Sequence, residues 1–280
     1  MSEEKFIGYF RLVEACEKPG CPVCRCVKGE SHSYLDALLY EQVTDPDTRR
    51  AIRAAWGFCN WHTWMLLEIE HSLFGASIIY EDLVTLALRR TERLGNPARR
   101  RGRGGWLAAL MRRPRWPTIQ ELYRKRALCP ACASAADTET RYLETLVRFV
   151  DDGDLQAAYA RSDGLCLPHL FAALEENAER PEARTLVERT REKWTTVGRD
   201  IGSFVSKHDY RNREPYTAAE VASYGRAFEM LVGARSVFGN DVHTRTSARA
   251  ARRRAAGPPA DAPPADGNGG PPRAAGERAS

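Results

Sequence analysis

The feature that most constrains this chain is a pattern of four potential metal ligands that occurs twice, about a hundred residues apart. Each copy is a Cys-Pro-x-Cys pair followed, after a long gap, by Gly-x-Cys-x-x-His. The eight residues are Cys21, Cys24, Cys59, His62, Cys129, Cys132, Cys166 and His169. Three thiolates and one imidazole complete a tetrahedral metal site, so we interpret each copy as a Cys3His site. The gap is 35 positions in one copy (Cys24 to Cys59) and 34 in the other (Cys132 to Cys166), which equally permits ligands shared between the copies.

The sequence between the ligands also repeats. Tyr34 and Leu35 stand ten and eleven residues after the second cysteine of their pair, as do Tyr142 and Leu143. Further apolar positions match at helical spacing once a gap of one residue is allowed. Matching apolar positions around matching ligands indicate a repeated helical module.

Apolar residues recur every three or four positions through most of the chain, and no segment has the alternation of a strand followed by a hairpin turn. We therefore predict an all-α fold. Helices are expected over residues 3–17, 25–43, 46–56, 60–94 (kinked near Gly75), 131–151, 154–162, 168–178, 181–208 and 217–235. The predicted domains are a first metal-binding module at 1–88, a basic connector at 89–118, a second module at 119–208, a helical segment at 209–240 and a disordered Ala/Pro/Gly/Arg tail at 241–280.

Zinc is the metal that three cysteines and one histidine favour in a reducing compartment, so two zinc ions are expected. An iron–sulfur cluster, which would make the chain a redox protein, is the alternative for the same ligands. A closed four-ligand site has no position for substrate, which disfavours catalysis at the ions. Structural zinc contributes about 10–16 kcal/mol to a small domain. We therefore expect Cys59→Ser or Cys166→Ser to unfold its own module locally. Cys16 and Cys26 are left over and are interpreted as buried or incidental thiols.

The segment 89–126 concentrates positive charge: it holds thirteen Lys or Arg and two acids, a net +11 in a chain of net +5. Trp106 and Trp116 lie among the arginines. Because arginine neutralises phosphates and aromatic rings stack on bases, RNA or single-stranded DNA binding is one hypothesis. Peripheral contact of this segment with an anionic membrane is a further hypothesis, ranked below nucleic-acid binding. The alternative to both is a solvated insertion without a binding role. The candidate polyanion-binding residues are Arg99, Arg100, Arg101, Arg103, Arg112, Arg113 and Arg115.

A second candidate cluster follows the second module, where acid, base, phenol and guanidinium groups are consecutive in the sequence. It comprises Lys207, His208, Asp209, Tyr210 and Arg211. Such a group could bind an anion or transfer a proton. The alternative is that these residues join the end of a long helix to the next element, with His208 favoured at the helix C-terminus.

The N-terminal sequence has no basic region followed by an apolar one, and no apolar run reaches the length of a membrane span. We therefore expect a cytoplasmic protein without a transmembrane segment. The partner of such a protein is not indicated by the sequence.

Taken together, the CPVC, GFC..H, CPAC, GLCLPHL and KHDYR…EP motifs resemble an uncharacterised bacterial family of domain-of-unknown-function type, over residues 5–235. Members are sometimes labelled ABC-transporter substrate-binding proteins. The present sequence does not support that label, because it has neither an export signal nor a two-lobed α/β pattern. The resemblance implies the duplicated helical modules but no activity, so we expect an interaction or regulatory protein rather than an enzyme.

Overall fold

The computed structural model describes residues 5–95, 127–177 and 179–238, and these form ten α-helices without a strand. The first five are α1 (Ile7–Cys16), α2 (Pro22–Glu41), α3 (Pro46–Ala55), α4 (Asn60–Met65) and α5 (Ser72–Gly95). The other five are α6 (Pro130–Arg148), α7 (Gly153–Arg161), α8 (Leu167–Asn177), α9 (Pro181–Ser206) and α10 (Ala218–Val232). The predicted all-α class is confirmed. Most of the basic connector, including all seven of its candidate arginines, and the tail lie outside the described residues.

The helices of the two sequence copies follow the same order: α2 to α5 in the first and α6 to α9 in the second. In both copies a proline begins the first helix directly after a cysteine, because proline at the first helical position needs no hydrogen-bond partner for nitrogen. Asp45 caps the start of α3, since its carboxylate accepts from the Thr48 amide at 2.7 Å.

One long helix was predicted over residues 60–94, and this is wrong in detail. The chain forms α4, a 3₁₀ turn at Leu66–Glu68, and then α5, with His71 in the left-handed conformation (φ 62°) between them. Gly75, where a kink was expected, lies inside α5. A Cβ there would stand 2.8 Å from the Leu39 carbonyl oxygen, so this glycine allows α5 to approach α2 closely.

The centre of the fold is the packing of α2 against α6, the most extensive contact between two helices of the described residues. The start of α2, at Val23, shares a buried cluster with Leu143 and Leu146 near the end of α6. Conversely, Leu35 and Leu38 later in α2 pack with Ala131 at the start of α6. The two helices are therefore antiparallel, and each places its N-terminal cysteine pair at the opposite end of the core.

The remaining helices enclose this pair. α1 packs on α2, α6 and α7, and its Tyr9 hydroxyl bonds to Asp152, the residue that caps α7. α10 packs on α8 and α9, where Arg226 contacts Asp200 at 3.0 Å. The described residues all fall within one compact unit. None of their helices combines the length and the apolar character that a membrane-spanning segment requires.

Candidate metal centres

The eight predicted ligands form two groups, and each group takes its members from both sequence copies. Site A consists of Cys21, Cys24, Cys166 and His169, and site B consists of Cys59, His62, Cys129 and Cys132. Within each site all four ligand atoms lie within 4.8 Å of one another. The interpretation of each copy as a complete site is therefore corrected. Because α2 and α6 are antiparallel, the cysteine pair of one copy meets the Cys-x-x-His segment of the other.

The distances between ligand atoms fit a single tetrahedral ion. Bonds of about 2.3 Å to sulfur and 2.0–2.1 Å to nitrogen place two sulfurs about 3.8 Å apart, and sulfur and nitrogen about 3.6 Å apart. In site A, Cys24 Sγ lies 3.7 Å from Cys166 Sγ and 3.3 Å from His169 Nδ1. In site B, Cys132 Sγ lies 3.5 Å from Cys59 Sγ and 3.3 Å from His62 Nδ1. In both sites Nδ1 faces the sulfurs.

Each site is built from the N-termini of two helices. Cys21 and Cys129 occupy the positions just before α2 and α6, while Cys59 and Cys166 stand just before α4 and α8. The positive end of a helix favours a thiolate, so this placement assists metal binding. His62 and His169 then lie one turn further on, where they reach the same point as their cysteine.

The loops before α4 and α8 explain the glycine of each Gly-x-Cys-x-x-His motif. Gly57 and Gly164 both have positive φ, 88° and 78°. A side chain would be strained there, and glycine is not. In the second copy, the Leu165 amide donates to the Tyr159 hydroxyl at 3.1 Å, and the Leu165 carbonyl accepts from Trp194 Nε1 at 2.9 Å. The backbone next to Cys166 is thus fixed on both sides.

Protons are distributed unequally within each site. In site B, hydrogen bonds from Cys129 and Cys132 lower the pKa of Cys59, while hydrogen bonds to Cys129 and Cys59 raise the pKa of Cys132. Burial lowers the pKa of His62, but the Cys129 and Cys59 thiolates outweigh it and raise the value to about 9. In site A, burial opposes ionisation of Cys21, but hydrogen bonds from Cys166 and Cys24 lower its pKa well below the usual range. Binding of a metal ion would therefore release protons from these groups, so the affinity for the metal should decrease as the pH is lowered.

Cys16 and Cys26 belong to neither site. Burial is the main cause that raises the pKa of each thiol to about 12, so both stay protonated at neutral pH. Cys26 Sγ lies 3.9 Å from the Arg11 carbonyl oxygen. Both side chains are buried in the core, as the sequence predicted.

Three features of site A could not be recognised from the ligand pattern. Glu139 in α6 is buried, and its Oε1 lies 3.1 Å from His169 Nε2. The Ala234 amide donates to Cys24 Sγ at 3.4 Å, and the Phe238 ring lies 5.1 Å from the His169 ring. Glu139 had a weak signal, since it lies seven residues after Cys132 on the same helix face. The other two contacts come from the segment after α10, and the described residues contain no equivalent contacts at site B.

The Lys207–Arg211 cluster lies between α9 and α10, away from the metal ligands in sequence. Lys207 points inward and pairs with Glu220 at 2.9 Å. His208 Nδ1 lies 2.9 Å from the Tyr216 hydroxyl, and Asp209 accepts from the Arg211 amide at 3.0 Å. The exposed Tyr210 ring accepts a hydrogen bond at its hydroxyl from Arg211 Nε, 3.0 Å away. Lys207 therefore links the end of α9 to α10, whereas Asp209, Tyr210 and Arg211 contact one another within the loop.

The fold and the two sites define a helical protein with paired Cys3His centres. The chain belongs to a family of unknown function, DUF6062, whose model matches residues 5–236. No curated protein and no solved structure matches it.

Proposed function

We propose that this protein is a cytoplasmic zinc protein in which two closed Cys3His ions join the two sequence copies, and that it acts as an interaction or regulatory module. The observation that carries the zinc assignment is the spacing of the ligand atoms. A cluster distributes its protein ligands over two or more irons, which separates some of them widely, whereas these ligands all surround one point. The repeat supports descent from a duplicated module, with α2 and α6 as equivalent helices.

Metal analysis of the full chain, purified under reducing conditions, tests the assignment. We expect two zinc ions per chain and no visible absorption. Cys166→Ala should lower the content to one zinc, while Cys16→Ala, a buried thiol outside both sites, should leave it at two. Iron with acid-labile sulfide would establish the iron–sulfur alternative instead. Zinc that does not depend on Cys166 would refute the proposed ligands.

A role in interaction rather than catalysis is supported by two features. All four coordination positions of each ion are filled by side chains, so neither ion has a position for substrate. In addition, α10 exposes an apolar stripe formed by Val221, Tyr224, Phe228 and Leu231, which are 49–63% exposed. Such stripes are typical of protein-binding surfaces. A cytoplasmic location agrees with eight cysteines that are all free of disulfides.

Affinity purification from cells tests the interaction role. The double variant Tyr224→Glu/Phe228→Glu should lose specific partners that the wild-type chain retains, with no change in thermal stability. Tyr40→Glu, at an 89% exposed position outside the stripe, is the matched control. Recovery of the same partners with all three proteins would refute this use of α10.

Nucleic-acid binding through the basic connector is a second proposal, carried by the charge of residues 89–126 in the sequence. Replacing Arg99–Arg101 and Arg103 with serine should abolish a salt-dependent shift of single-stranded RNA. Absence of any shift by the wild-type chain at low salt would eliminate it.

A further inference from the structure

The two metal sites differ at one matched position. The residue seven places after the second cysteine of the pair is Ser31 in α2 and Glu139 in α6. Both are buried, at 2% and 4% exposed. Glu139 lies against His169 of site A, and because α2 and α6 are matched antiparallel helices, Ser31 is its equivalent in the other half of the fold. The two sites therefore have the same four types of ligand but differ in this neighbouring residue.

In site A the carboxylate orients the histidine. Glu139 Oε1 lies 3.1 Å from His169 Nε2, as a buried ion pair whose angle does not meet that of a hydrogen bond, and the His169 side chain is fully buried. If Nε2 carries the proton that faces this carboxylate, the Nδ1 lone pair is directed at the sulfurs of Cys21, Cys24 and Cys166, which lie 3.2–3.4 Å away. A carboxylate behind a ligating histidine fixes its tautomer and increases its basicity, and its loss typically weakens metal affinity about 10–100-fold.

In site B the matched residue does not perform this role. The Ser31 hydroxyl donates to the Val27 carbonyl within its own helix, at 2.7 Å. His62 Nε2 is buried and has no hydrogen-bond partner among the described residues. The histidine of site B is thus held by packing and by its own metal-facing nitrogen, without the electrostatic support that His169 receives.

Site A is also better shielded. The Ala234 amide donates to Cys24 Sγ at 3.4 Å, and Phe238 lies against His169. All four ligands of site A are buried, whereas Cys132 of site B is partly exposed. A chelator or a metal-accepting protein can approach an exposed thiolate, so Cys132 gives site B a route for exchange that site A lacks.

We infer that the two ions have different roles: site A holds a permanent structural zinc, and site B is the exchangeable site that responds to zinc availability. This rests on the proposed zinc function. Loss of the ion at site B releases the start of α4 from the start of α6 while site A still joins α2 to α8. The protein then retains its fold at one end of the core and loosens at the other.

Zinc release from the full, two-zinc chain to the coloured chelator 4-(2-pyridylazo)resorcinol tests this inference. We expect two phases of one zinc each. Glu139→Gln keeps the size of the side chain and an accepting oxygen but removes the charge, and should accelerate the slow phase about 10–100-fold without changing the fast one. Ser31→Ala, at the matched position, should change neither phase. Circular dichroism verifies that both variants are folded.

Hydrogen exchange after release of the first zinc identifies the site. Amides at 59–65 and 129–135 should exchange faster, while those at 21–26 and 166–170 should stay protected. A single phase for both ions, an unchanged slow phase in Glu139→Gln, or the opposite exchange pattern would overturn the inference. A purified chain that contains no zinc would instead refute the proposed function, so the metal content is measured first.

Discussion

A single phenol holds the loop that carries Cys166. The Tyr159 side chain is fully buried, and its hydroxyl contacts both Thr190 Oγ1 at 2.7 Å and the Leu165 amide at 3.1 Å. The matched residue of the first copy, seven places before the third cysteine, is Ile52, which is equally buried but purely apolar. Equivalent positions thus support equivalent loops by different interactions.

Tyr159→Phe should lower the free energy of unfolding by about 1–3 kcal/mol, because it leaves the buried Leu165 amide without an acceptor. Urea unfolding of the zinc-loaded protein measures this. Tyr40→Phe is the control: its ring is 89% exposed, and a change within about 0.5 kcal/mol is expected. Equal effects of the two variants would contradict the role given to the Tyr159 hydroxyl.

Cys166→Ser separates the shared sites from the sites first expected within each copy. Because Cys166 shares site A with Cys21 and Cys24, hydrogen exchange should accelerate at residues 21–26 as well as at 164–170. Residues 129–135 belong to site B and should remain protected. Loss of protection at 129–135 with 21–26 unaffected would restore the original within-copy interpretation.

At the scale of elements, the sequence predicted helix positions well, because apolar spacing, prolines and caps are local signals. The break between α4 and α5 was missed because Leu66 to Ser72 contains no proline or glycine and His71 adopts the left-handed conformation instead. The identity of the eight ligands was also local information. Their pairing was not, since it depends on the direction in which α2 packs against α6, which the spacing of Cys24 and Cys59 does not encode.

The start of α10 has a reciprocal cap that can be tested at the same scale. The Thr217 hydroxyl accepts from the Glu220 amide at 3.2 Å, and the Glu220 carboxylate accepts from the Thr217 amide at 2.7 Å. Thr217→Ala should destabilise the protein by about 1 kcal/mol, measured as a lower melting temperature. The control is Thr195→Ala, inside α9, where alanine favours the helix and no loss is expected. A larger loss at Thr195 would contradict the capping role.

At the scale of the whole molecule, the two ligand clusters join the two sequence copies at opposite ends of the α2–α6 pair. A protease site inserted within residues 96–126 allows a test. After cleavage the two fragments should elute together with two zinc ions, and chelation should raise the dissociation constant between them. The uncut chain is treated with the same chelator as a control, because its elution volume shows how much compactness is lost without any separation of fragments. Fragments that separate with one zinc each would show that the ions do not connect the copies.

The shared ligands also determine when the protein can be completed during synthesis. Cys24 leaves the ribosome 142 residues before Cys166, its partner in site A. At about 5–20 residues per second, this is a delay of about 7–28 s. During that time Cys21 and Cys24 lack the other two ligands of site A. They stay available only if the cell keeps them reduced and free of competing metals. Site B closes earlier, when Cys132 has emerged, so the order of assembly runs from the more exchangeable centre to the more permanent one.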